Sequence, residues 1–188
     1  MSNSNSKSAL VVVDMINNYD FDDADKLRAS VEESLPCMVD LVKRAQEQGV
    51  RTIYVNDNHG AWHQGRAEMV EEFLGGEFAP LIEPIAPGDD VDFIVKARHS
   101  IFYETPLEYL LREGGIEKLI LIGQVTEQCI LYSALDAYIR HFDVHVPPDA
   151  VAHIHDDLAD AALKMMRVNM NADLTPAAQL LRERSLSA

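Results

Sequence analysis

The sequence predicts a three-layer α/β/α domain of the Rossmann type, built around a central, mostly parallel sheet of five or six strands. Short apolar, β-branched runs alternate with stretches of helical periodicity, the pattern of βαβ units. Those runs are continuous rather than alternating, as in strands covered on both faces. The 188 residues, 47% hydrophobic and 25% charged, match one domain of roughly 100–200 residues with ordinary globular composition. Residues 1–8 (MSNSNSKS) read as a tail without the apolar stretch of a signal peptide, and 9–188 as a single domain.

Ala9–Val13 (ALVVV) is the first strand, stopping on Asp14. Leu27, Val31, Leu35, Met38, Leu41, Val42 and Ala45 then fall at helical spacing, with Pro36 expected to kink or restart that helix and Gly49 to close it. Val50–Val55 is a second strand, and the polar stretch 56–65 (NDNHGAWHQG) a loop. A helix from Arg66 to Leu74 ends at Gly75-Gly76, and a Pro-rich link leads to a third strand, Val91–Val95. Thr105-Pro106-Leu107-Glu108 reads as a capping box opening a helix that runs to Gly114-Gly115. Lys118–Ile122 is the fourth strand. Thr126 is expected to cap a buried helix carrying Ile130, Leu131, Ala134, Leu135, Ala137 and Ile139. Val144–Val146 is a brief fifth strand halted by Pro147-Pro148, Asp156–Val168 the last helix, and Ala172–Leu174 a possible edge strand.

Composition narrows the function. Sixteen basic against 31 acidic side chains leave a net charge of −15. That disfavours a nucleic-acid partner, which needs clustered Lys and Arg, and an anionic membrane surface. No apolar run approaches the roughly 18–20 residues of a spanning helix. Two cysteines make no disulfide framework, so the expected compartment is the cytoplasm.

In an open parallel sheet, ligands bind outside the carboxyl ends of the strands. Asp14 follows the first strand, Lys96 the third, and Cys129 lies just beyond the fourth. Taken singly, each has an ordinary structural reading as a turn residue, a solvated strand end or a small buried hydrophobe. At one sheet edge they form a coherent set. Only a thiolate is a competent nucleophile, and a cysteine in the first turn of a helix feels the positive end of the macrodipole. First-turn N–H groups can hold an oxyanion. Asp14 could take the thiol proton and later activate water, while Lys96 would favour the charged forms of both.

Asp14 in VVVDMIN, Lys96 in KARHSIF, and Gly123 to Cys129 in GQVTEQC resemble the isochorismatase-like cysteine hydrolases, which include nicotinamidases and carbamoylsarcosine amidases. The resemblance spans about residues 9–181 in the same element order. It implies Asp14 as base, Lys96 as supporting cation and Cys129 as nucleophile. It also implies a cis peptide between Val125 and Thr126, with the backbone N–H groups of Val125, Thr126 and Cys129 forming an oxyanion hole. Ser100 matches the motif and is expected to hold the loop after Lys96. Members that hydrolyse the vinyl ether of isochorismate lack the cysteine, so Cys129 favours acyl chemistry on an amide.

Asp57 and His59 resemble the D-x-H metal ligands of nicotinamidases, with His63 a nearby third candidate. Without the D-W-H-P context, Asn56-Asp57-Asn58 with Trp62 is instead similar to the loop of metal-independent relatives, and turn chemistry accounts for these residues. The expectation is no metal and no cofactor. Trp62, His99, Phe102 and Tyr132 are candidates for the pocket wall, with Tyr19 and Phe21 as further aromatics. Cys37 reads as an inert core thiol, and His153 and His155 as a solvated lead into the last helix. The reading that follows is a cytoplasmic cysteine hydrolase cleaving a C–N bond of a small amide, imide or carbamoyl substrate through a thioester on Cys129. A homo-oligomer is expected. The alternatives are a vinyl-ether hydrolase of the isochorismatase type and a catalytically silent binding domain.

Overall fold

In the computed structural model, which describes residues 7–181, the chain runs β1 (Ser8–Val13), α1 (Ala24–Glu47), β2 (Arg51–Asp57), α2 (Arg66–Leu74), α3 (Ala79–Ile82), β3 (Asp92–Lys96) and α4 (Leu107–Glu113). There follow β4 (Lys118–Gln124), a wide helical turn (Thr126–Ile130), α5 (Leu131–Ile139), β5 (Asp143–His145), β6 (Val151–Ala152) and α6 (Asp156–Asn169). The strands form one six-stranded sheet in the order β3-β2-β1-β4-β5, with β6 also on β4. Every pairing is parallel.

The layers follow from the two faces of β1. Ala9, Val11 and Val13 point into a core completed by Leu107 and Leu111 of α4, Ala134 and Ala137 of α5, and Ala162 and Met166 of α6. Leu10 and Val12 point the other way, onto Leu27, Val31, Leu35, Met38 and Leu41 of α1. Each large apolar side chain buried this way contributes about 1.5–3 kcal/mol relative to exposure, so the continuous apolar run of β1 is explained by helices on both sides. Among the described residues no helix is long and apolar enough to cross a membrane.

Several local expectations change. Ser8 belongs to β1, and Lys7 Nζ pairs with Glu117 Oε1 at 2.5 Å, so the sheet starts inside the expected tail. Residues 1–6 of that tail and 182–188 of the expected domain lie outside the described residues. Helix α1 continues through Pro36, whose ring lies on the exposed face; there the carbonyl it leaves without an amide partner can be hydrated. The capping box does not form. Thr105 Oγ1 donates instead to Ile101 O at 2.5 Å, and Glu108 is drawn to Arg140 at 2.8 Å. Residues 172–174 contribute a single bridge, Asp173 to His145, rather than a strand. Strand β6 is too short to leave a sequence pattern. His153 is half-buried rather than solvated, with Nδ1 3.1 Å from Ser30 Oγ and Nε2 2.9 Å from Asp156 Oδ1.

Candidate active site

The register sets the site. Val13 pairs with both Val55 and Gly123, and Asp57 pairs with Lys96, so β1 to β4 end level with one another. The chain builds outward from β1 through β2 to β3 on one side and then crosses back to add β4 and β5 on the other, so the strand order reverses beside β1 and the crevice opens at this edge. Asp14 adopts φ +55° as it leaves β1 while its N–H still donates to Val55 O at 3.0 Å. This left-handed conformation costs a non-glycine residue about 1–2 kcal/mol. It ends the strand abruptly and leaves the carboxylate at the sheet edge. Gly123, at φ +113°, is required by crowding as well, because a Cβ there would stand 2.2 Å from Val13 O.

Three distant stretches meet here. Lys96 Nζ is 2.8 Å from Asp14 Oδ2, 3.7 Å from Cys129 Sγ and 3.0 Å from Arg98 O, so its three N–H groups have three acceptors. Asp14 Oδ1 accepts the N–H of Asp57 at 2.8 Å, and Gln124 Nε2 donates to Asp14 O at 2.5 Å. The Lys96 and Asp14 side chains are only 1% and 9% exposed, which makes their mutual attraction far less screened than that of a surface pair. Ser100 Oγ donates to Asp136 Oδ2 at 2.5 Å and Ser133 Oγ accepts the N–H of Ile101 at 3.1 Å, tying the segment after Lys96 to α5.

Electrostatics correct one expectation. Burial pushes the Cys129 thiol up to about 12, and the Asp14 charge and a hydrogen bond with Asp14 push the same way; Lys96 and the Val125 N–H oppose them. The resting sulfur is therefore a neutral thiol, and desolvation outweighs any helix-terminus field. For Lys96, burial works against the ammonium, but the charges of Asp14 and Cys129 and the Asp14 hydrogen bond outweigh it and raise its pKa. Lys96 stays charged.

The turn carrying Cys129 also differs from expectation. Thr126 does not cap a helix; its hydroxyl donates to Ala152 O at 2.8 Å and fastens β6. The cis peptide joins Gln124 to Val125, one bond before the expected Val125–Thr126 position. Val125 O accepts the N–H groups of Gln128 and Ile130, both at 3.1 Å, so the Val125–Thr126 bond already belongs to the helical turn. Glu127 Oε1 accepts the N–H groups of Ile154 and His155 at 3.0 and 2.9 Å, joining this turn to the start of α6.

A cavity of about 520 Å³ opens onto the trio, lined by Asp14, Lys96 and Cys129 together with His99, Gln124 and Val125. Of the four expected wall residues only His99 lines it. Trp62 is 66% exposed outside it, although Asp57 and His59 of the same loop line it. Phe102 is 6% exposed and stacked on Phe142 in the core. Tyr132 lies on the outer surface against the His99 ring, with centroids 5.5 Å apart. The sequence reading missed Asn17, Asp22, Asp23, Arg98 and Gln128, which also line the cavity beside Phe21. Gln124, at the end of β4, was recoverable from the same strand-end rule that selected Asp14.

Asp57 and His59 both face the cavity. Asp57 Oδ1 accepts the N–H of His59 at 2.8 Å, and His59 Nε2 lies 3.3 Å from Ile16 O, while His63 is exposed outside the cavity. Among the described residues no three His, Cys, Asp or Glu side chains come together as a metal-binding group, and two donors fall short of the three that a catalytic zinc-type site uses. The residues do not fit a resident metal.

Known proteins share this chain's sequence pattern and fold. An isochorismatase family protein of Bacillus subtilis, YaaI, is 33% identical over 96% of this chain and 99% of its own. Maleamate amidohydrolase of Pseudomonas putida is 26% identical over 84% of this chain and 78% of its own. The crystal structure of N-carbamoylsarcosine amidase from Thermoplasma acidophilum superposes with a TM-score of 0.69 at 26% identity, covering 93% of this chain and 98% of that one. The family description "Isochorismatase domain" matches residues 8–179, nearly the whole described fold, and the chain belongs to the isochorismatase family.

Proposed function

We propose that the protein is a cysteine hydrolase that cleaves the C–N bond of a small amide, imide or carbamoyl compound through a thioester on Cys129. The observation that carries this reading is the single ammonium of Lys96, which stands between Asp14 Oδ2 and Cys129 Sγ at the floor of the cavity. The cavity volume is in the range of small-molecule sites, about 300–1,000 Å³. Two of the relatives above carry amidohydrolase or amidase names.

The chemistry follows from the charges. Asp14 takes the thiol proton as the sulfur attacks the carbonyl carbon, so S–H breaks while O–H and S–C form. Lys96, already charged, stabilises the sulfur as its proton leaves. Backbone N–H groups of Val125, Thr126 and Cys129 are the candidates to hold the oxyanion. Collapse of the tetrahedral adduct breaks C–N, and the Asp14 carboxyl gives its proton to the departing nitrogen. Asp14 then takes a proton from water as the oxygen attacks the thioester. The sulfur leaves and recovers a proton from Asp14, which restores the resting thiol. A base beside the sulfur is needed throughout, because burial holds the free thiol neutral.

The test is ammonia or amine release across a panel of small amides, ureas and imides, with and without chelator, for the unsubstituted chain and for Cys129→Ala. The expected result is chelator-insensitive release that falls at least about 10³-fold in Cys129→Ala, the scale seen when a nucleophile is removed. Release that survives Cys129→Ala, or no release from any member of the panel alongside cleavage of a vinyl ether, overturns the reading.

A further inference from the structure

We propose that His99 is a further catalytic residue, its Nδ1–H donating to the sulfur of Cys129 and holding the thiolate that forms when Asp14 takes the thiol proton. This rests on the reading of Cys129 as the nucleophile and adds a group to its site. His99 Nδ1 lies 3.7 Å from Cys129 Sγ, the same distance as Lys96 Nζ. The two nitrogens differ in setting. Both residues line the cavity, but Lys96 is buried and shared with Asp14 and Arg98 O, whereas His99 is exposed. The sulfur thus meets one nitrogen on a buried side chain and another on an exposed one.

The tautomer follows from the neighbours. In the proposed reaction the thiol proton goes to Asp14, so the sulfur presents lone pairs to the imidazole, and the ring nitrogen facing those lone pairs carries the N–H. When the proton moves to Asp14, the ammonium of Lys96 faces a neutral carboxyl and a sulfur anion, and the Nδ1–H of His99 adds a second side-chain donor to that anion. The charged and titratable groups at the sulfur are Asp14, Lys96 and His99 itself, with Tyr132 against the outer face of the ring.

The placement of the ring is built rather than incidental. Arg98 O, one residue before, is held by Lys96 Nζ at 3.0 Å, and Ser100 Oγ, one residue after, is held by Asp136 Oδ2 at 2.5 Å. The Ile101 N–H is held by Ser133 Oγ. Asp136 and Ser133 belong to the helix that directly follows the Cys129 turn, so the segment bearing His99 is pinned to the element bearing the sulfur. Tyr132 then closes the outer side of the ring.

The test is alkylation of Cys129 by iodoacetamide, followed by mass spectrometry of its peptide, in the unsubstituted chain, His99→Phe and His99→Asn, with Cys37 as the internal control. Phe keeps the ring against Tyr132 and removes the donor; Asn keeps a donor near the Nδ1 position. Loss of one N–H donor to a thiolate is expected to slow Cys129 labelling about tenfold in His99→Phe and to move its pH–rate curve about one unit toward higher pH. His99→Asn should stay within about threefold of the unsubstituted chain, and Cys37 should not change in any of them. Equal labelling of the unsubstituted chain and His99→Phe overturns the His99 assignment alone, as does an equal loss in His99→Asn and His99→Phe. Failure of Cys129 to label at all in the unsubstituted chain overturns the nucleophile reading, and the His99 assignment with it.

Discussion

Lys96 and Asp14 form the most buried ion pair among the described residues, Nζ to Oδ2 2.8 Å, joining the end of β3 to the end of β1 across the intervening β2. Neither charge has an alternative partner in water at 1% and 9% side-chain exposure. Removing one member leaves the other desolvated, which typically costs about 3–5 kcal/mol. Lys96→Met should therefore lower the free energy of unfolding in urea by about that amount. The double variant Asp14→Asn/Lys96→Met should recover part of it, because the stranded carboxylate is gone. A Lys96→Met chain within about 1 kcal/mol of the unsubstituted protein would show that this pair is solvated like a surface bridge.

The same site predicts a loss of stability in alkali. The Cys129 thiol has its folded pKa raised to about 12, against about 8.5 in an unfolded chain. It therefore contributes stability that is complete below about pH 8.5 and declines as pH rises toward the folded value. Lys96, also raised in the folded state, adds a loss that begins above its unfolded pKa of about 10.4. Urea midpoints measured upward from neutral pH should fall from about pH 8.5. Cys129→Ala should abolish the first part of that fall and leave the later part. A flat profile from neutral pH to about pH 10 in the unsubstituted chain contradicts the burial of the sulfur.

Two glycines of positive φ separate conformational freedom from crowding. Gly49, at φ +65°, has nothing within 4 Å of a built Cβ, whereas at Gly123 a Cβ would stand 2.2 Å from Val13 O and 2.9 Å from Val13 N. Gly49→Ala should cost only the backbone penalty, about 1 kcal/mol. Gly123→Ala must also force β4 away from β1 directly beside Asp14, so a loss well above about 2 kcal/mol is expected, with hydrolase activity falling in step. Thermal unfolding of the pair checks this; equal losses would mean that the β1–β4 approach is slack.

Elements set by apolar runs were legible in the sequence: β1, β2, β4, α1 and α2 lie within a few residues of where periodicity puts them. So was the convergence of Asp14, Lys96 and Cys129, because strand ends in a parallel sheet share an edge. What failed depends on partners far along the chain. Thr126 has the side chain of a cap, yet its hydroxyl is claimed by Ala152 O. Phe102 and Trp62 look alike as candidate wall residues, and only tertiary packing sends one into the core beside Phe142 and the other out to solvent. The thiol pKa went the opposite way from the helix-terminus argument, since a sequence shows which charges are present but not how dry they are.

Glu127 shows how the Cys129 turn is fixed from outside. Its Oε1 accepts the N–H groups of Ile154 and His155, immediately before α6, and Ile154 lines the cavity. Both amides depend on that one carboxylate oxygen, and Glu127 is 9% exposed. Glu127→Ala should cost about 1–3 kcal/mol, and Glu127→Gln, which keeps an acceptor oxygen, should cost less. Stability alone would not distinguish this bridge from general packing, so the deciding measurement is hydrogen exchange. In Glu127→Ala the amides of residues 154 and 155 should exchange much faster, while those of β1 and β4 lose only what the global destabilisation requires. Uniform acceleration across the sheet would mean that Glu127 supports the fold as a whole. Faster exchange confined to residues 154 and 155 would identify it as the tie between the Cys129 turn and the start of α6.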